Sequence, residues 1–136
     1  MAVFKPTSER KNCILEFDNN IRYELPIHEE ILDKISAMAK KQLATLKGID
    51  NGAENATDEI YNTLLDAIDD ILGDGAGADI MTVFNKPGIL DAGEVIFFIV
   101  NEYRKAYSAR LNALKADASD FAKDVSESVD VKRGRR

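Results

Sequence analysis

The sequence predicts a mainly α fold, a small helical domain of about four helices with an N-terminal β-hairpin. Three observations carry this. Apolar residues recur at helical spacing in several stretches after residue 26, two short alternating runs precede them, and Asp91–Leu114 reads as one long helix whose front half, Val95–Val100, is apolar throughout. A helix apolar on every side must be wrapped by other elements, so this one is expected at the centre of the domain. With 136 residues, 45% of them hydrophobic, the chain can build one core and is short for two.

Residues 1–12 read as a flexible arm, with Pro6 and no periodicity. The domain proper spans 13–115 and opens with a hairpin over 13–25. Cys13, Leu15 and Phe17 alternate onto one face, Ile21, Tyr23 and Leu25 onto the matching face of the return strand, and Asn19-Asn20 supplies a two-residue turn that tolerates positive φ. Pro26 ends the second strand. The following helix carries Ile27, Ile31, Ile35, Met38, Leu43 and Leu46 on its stripe, with Glu29 and Glu30 early, Lys40, Lys41 and Lys47 late, and Gly48 as its C-cap.

Residues 49–56 form a loop, and Thr57 or Asn55 caps a helix over 58–72 whose stripe is Ile60, Tyr61, Leu64, Leu65, Ile68, Ile71 and Leu72. Gly73–Gly77 breaks it as a flexible connector. A short helix over 79–84 and a turn at Asn85–Gly88 lead to the central helix, which opens on Asp91 as N-cap with Glu94 reaching back. Its second half narrows to Tyr103, Tyr107, Leu111 and Leu114, an aromatic stripe with Arg104 and Arg110 beside it that is the candidate protein-binding face. Residues 116–136 read as a weakly ordered C-terminal segment with a basic tail, its faint stripe, Ala118, Phe121, Ala122, Val125 and Val129, either prolonging the central helix or forming a separate, loosely held one.

Charge narrows the function classes. Residues 48–102 carry twelve Asp or Glu against Lys86 alone, while Lys132, Arg133, Arg135 and Arg136 make the end basic. An acidic body disfavours a phosphate backbone, so protein partners are expected and nucleic acid is not. The apolar run 95–100 is too short to span a bilayer, and the first thirteen residues are too polar for a signal peptide, so a cytoplasmic protein without membrane contact is expected. The single Cys13 excludes an intrachain disulfide and reads as a small buried hydrophobe.

Catalytic and ligand patterns are thin. His28 is the only imidazole, sits at a helix start and has no nucleophile motif near it. Asp66, Asp69 and Asp70, with Glu59 on the same helix, suit Mg²⁺, as in all-helical nucleotide hydrolases. Those enzymes pair two such motifs on facing helices, and Glu94 and Glu102 do not repeat it, so a solvated acidic face is the expectation. Asp70–Asp79 fails as a calcium loop because Leu72 occupies its third position and no Glu closes it, and Gly73, Gly75 and Gly77 follow a helix rather than a strand, unlike a nucleotide-binding loop. No catalytic residue, metal site or cofactor is assigned.

The order of elements, a hairpin ILEFDNNIRYELPI, a helix, an acidic helix and a long aromatic-rich helix, resembles over residues 13–115 the small tail assembly chaperones of long-tailed bacteriophages and prophages of Gram-positive bacteria. The resemblance implies a non-enzymatic protein of the host cytoplasm. It would bind the tape measure protein, help tail tube protein polymerise around it and be absent from the finished virion. A small helical phage structural component, such as a head–tail connector, is the competing class. A homo-oligomer is also expected, because an amphipathic hairpin needs cover and a strand edge over 13–25 can template a second chain.

Overall fold

The computed structural model describes residues 2–4, 12–49 and 57–134, so most of the N-terminal arm, the loop before the second helix with Asn55, and Arg135 and Arg136 lie outside the described residues. The order is β1 (Asn12–Phe17), β2 (Ile21–Pro26), α1 (Glu29–Ile49), α2 (Thr57–Leu72), α3 (Ala76–Met81) and α4 (Ile89–Gly134). Among the described residues the fold is mainly helical, with four helices and an antiparallel two-stranded hairpin.

The hairpin pairs Cys13 with Leu25, Leu15 with Tyr23 and Phe17 with Ile21. The two apolar sets therefore meet as the alternation requires, but the connection is three residues, Asp18-Asn19-Asn20, not two. A two-residue turn would place Phe17 opposite Arg22 and leave the apolar sets out of phase. Asn19 and Asn20 both take the positive φ expected of them, 67° and 62°. The apolar face closes on its own chain. Cys13, Leu15 and Leu25 are buried, and Phe17 meets Phe98 of α4 edge-on at 5.3 Å. The need for cover is thus met internally, which removes that reason for strand-edge pairing. Burial, and secondarily the charge of Glu102, pushes the Cys13 thiol up.

His28 caps α1, its Nδ1 accepting the Glu30 N–H at 3.1 Å. Ile35 and Met38 are buried as expected, but the next residue on that line is Gln42 rather than Leu43, which is 52% exposed. Steps of three and four from Ile31 give Ile35, Met38 and Gln42, so the helical period overrules hydrophobicity there. Both amide atoms of Gln42 are buried without a hydrogen-bond partner, and its Nε2 lies 2.6 Å from where a Cβ on Gly93 would stand.

Between α2 and α4 the sequence expectations shift in register. Gly73 and Gly75 take φ of 112° and 83°, conformations that L side chains rarely adopt, so the glycine stretch includes a specific turn. This turn starts α3 at Ala76, three residues earlier than expected, and Asp69 Oδ1 accepts the Gly77 N–H at 2.7 Å. A Cβ on Gly77 would stand 2.9 Å from the Leu65 carbonyl oxygen. Backbone cannot yield as a side chain tip can. Gly77→Ala is therefore expected to destabilise the protein by about 1–3 kcal/mol in urea titration, and an unchanged midpoint would show that α2 and α3 separate freely.

α4 also begins earlier than expected. Gly88 occupies the N-cap position, and its N–H is accepted by Asp91 Oδ2 at 2.8 Å, so Asp91 fills the third helical position of the cap and Glu94 is not needed. Ala92, Val95, Ile96, Ile99, Val100 and Tyr103 form the buried side of α4 against the hairpin, α1 and α2. The helix is not wrapped on every side. Leu90 is 72% exposed, Phe98 38%, and Phe97 is half-buried. Beyond residue 110 it continues unbroken to Gly134, so of the two expectations for this stretch the structure has the prolonged helix.

Candidate protein-binding site

The predicted face Tyr103, Tyr107, Leu111 and Leu114 divides in the structure. Tyr103 is fully buried and is no part of an exposed patch. Its hydroxyl donates to the Pro26 carbonyl at 2.8 Å, has the His28 carbonyl at 3.1 Å as a second acceptor, and accepts the His28 N–H at 3.0 Å. It latches the corner where β2 passes into α1. Arg110 Nη1 adds a bond to the Ile27 carbonyl at 3.2 Å on the same corner. Rotation separates Tyr103 from Leu111, since two steps of four residues turn a helix by about 80° beyond full turns, whereas Leu114 stands within about 20° of Tyr103 and is exposed because α4 has by then run past the elements packed against it.

Tyr107 is half-buried at the hinge between core and surface, while Leu111 and Leu114 are exposed, Leu114 at 64%. Tyr107, Arg110, Leu111 and Leu114 border a shallow cavity of about 290 Å³ with Ile27, His28 and Glu29. The exposed apolar line does not stop there. Phe121 is 71% exposed and Val125 is also exposed, giving Tyr107, Leu111, Leu114, Ala118, Phe121 and Val125 at alternating steps of four and three. The sequence contained this heptad; it is legible only when the stripes on either side of residue 115 are read as one.

A groove between α1 and α4 extends the line into the body. Leu32, Ser36 and Ala39 of α1 face Val100, Arg104 and Tyr107 of α4 across about 450 Å³. A second cavity of about 460 Å³ lies further along the two helices, between Leu46 and Gln42 on α1 and Leu90, Gly93 and Phe97 on α4. The small side chains of Ser36 and Ala39 leave room at helix–helix distance, and Lys40 and Arg104 give this stretch positive charge.

Two of the other candidate residues, His28 and Asp69, have structural partners. His28 caps α1 and faces Glu29 at 3.6 Å. Asp69 holds the start of α3. Among the described residues no group of three or more His, Cys, Asp or Glu converges to hold a metal ion, and no helix is long and apolar enough to cross a membrane. No family model matches the chain, and comparison with curated proteins and with solved structures returns no match.

Proposed function

We propose that this chain is a non-enzymatic helix-binding protein acting as a phage tail assembly chaperone, with the tape measure protein as its client and the tail tube protein assembling around both. The observation that supports the reading best is the exposed apolar line on α4, Leu111, Leu114, Phe121 and Val125, on a helix that runs well past the residues packed against it. An elongated, helical and aggregation-prone client needs an apolar face of this form to cover it, and the acidic body keeps coated complexes apart. Host cytoplasm is the matching compartment.

Replacing Leu111 and Leu114 together by Ser is expected to abolish co-purification with helical tape measure fragments while leaving the circular dichroism melt within about 0.5 kcal/mol of the parent, since both are surface positions. Replacing Asp66 and Asp70 by Asn is expected to lower solubility and spare binding. Binding lost only in the Asp variants and dependent on Mg²⁺ in the parent would overturn the chaperone reading in favour of nucleotide hydrolysis.

A further inference from the structure

We propose that two copies of the chain pair through α4, antiparallel, with the distal part of each α4 lying on the heptad line of the other and reaching its α1–α4 groove. The proposal rests on the spacing, bulk and charges of α4 and on the α1–α4 groove beside it, and holds whether or not the chaperone reading does. A strict seven-residue repeat gives a helix one continuous seam for a second helix, and here the seam from Leu111 to Val125 is exposed.

Size and charge choose the occupant and its direction. When the two-fold axis falls between Leu111 and Leu114, Leu111 packs on the partner's Leu114, and Tyr107, a large residue, meets the partner's Ala118, a small one. Arg110 then flanks the partner's Asp117, and the symmetry makes each contact twice. Phe121 lies over the partner's Arg104, a guanidinium against an aromatic face, and Val125 enters the mouth of the partner's groove beside Ser36 and Ala39. The alternatives place like charges together. A parallel, in-register pair sets Arg110 against the partner's Lys115 and leaves Ala118 opposite the partner's Ala118. An antiparallel pair one heptad further along sets Asp117 against the partner's Asp117 and Lys115 against the partner's Lys115. A second copy in the first register is thus complementary in both bulk and sign.

Sedimentation velocity on the full chain over a concentration series tests this. The parent is expected to dimerise, and the Leu111→Ser, Leu114→Ser double variant to remain monomeric with its melt retained. Asp117→Arg alone and Arg110→Asp alone should each weaken dimerisation at least about tenfold, equivalent to about 1.4 kcal/mol, and the double swap should restore it. The Asp117→Arg variant carries the argument, because Arg110 also bonds to Ile27 in its own chain. A parent that stays monomeric to millimolar concentration overturns the proposal. So does stronger association in Arg110→Asp, the sign of a parallel pair facing Lys115, or a dimer indifferent to every one of these changes, which would place the contact at the hairpin edge.

Discussion

Ile99→Ala is expected to lower stability by about 2–5 kcal/mol, and Ile96→Ala by a similar amount, in chemical denaturation followed by circular dichroism. Both side chains are fully buried in the first quarter of α4, between the hairpin on one side and the other helices on the other. Removing three carbons from either leaves a void that a packed core fills only partly. The neighbouring aromatics behave differently. A fully buried phenylalanine would lose about 3–5 kcal/mol on truncation, but Phe98 is more than a third exposed and packs edge-on against Phe17. Phe98→Ala is expected to lose only about 1–2 kcal/mol. If Phe98→Ala destabilises the chain as much as Ile99→Ala, the open side of α4 around Phe98 is covered in solution.

Tyr103 carries the second large effect. Tyr103→Ala removes a buried ring and is expected to lose about 3–5 kcal/mol. Tyr103→Phe keeps the ring and removes only the hydroxyl that bonds to Pro26 and His28, for a loss of about 1–3 kcal/mol. The phenylalanine variant also has a pH signature. Burial raises the Tyr103 phenol above its ordinary value, opposed by its hydrogen bond from His28 and aided by neighbouring groups including Glu29. A raised pKa in the folded state means the fold favours the neutral phenol. That contribution is fully present below the ordinary phenol pKa of about 10 and is lost as pH rises through the folded value. Cys13, raised by burial and by Glu102, adds a loss of the same sign that begins lower, above its ordinary value of 9.0. The parent should therefore lose stability progressively on the alkaline side, and Tyr103→Phe should lose less over the phenol range. Equal alkaline slopes in the two proteins would show that the Tyr103 hydroxyl is solvated in the folded state.

The periodicities of the chain determined its elements. The alternation of Cys13, Leu15 and Phe17 against Ile21, Tyr23 and Leu25 determined the two strands and the face each buries, because side chains of a strand alternate with a period of two, while the three-residue turn in place of the expected two set the pairing. Helical spacing determined α1 and α2 in the same way. Of the candidate binding residues, Leu111 and Leu114 were legible as surface apolar positions, and Tyr107 as the residue where the helix leaves the core.

Tertiary structure decided what local pattern leaves open. Tyr103 belongs to the core because the β2–α1 corner offers its hydroxyl two carbonyls and an N–H, partners about 75 residues away in sequence that no local window contains. Gln42 is buried instead of Leu43 because helix phase outweighs the preference of one side chain, and Gly93 opposite gives the amide its space. The start of α3 was set by Asp69 and by the positive φ of Gly75, and the start of α4 by Asp91 closing on Gly88. Whether Phe97 and Phe98 are covered depended on how many elements pack around α4. The hairpin, α1 and α2 cover only part of its circumference, so apolar residues that the sequence alone assigns to the core remain at the surface.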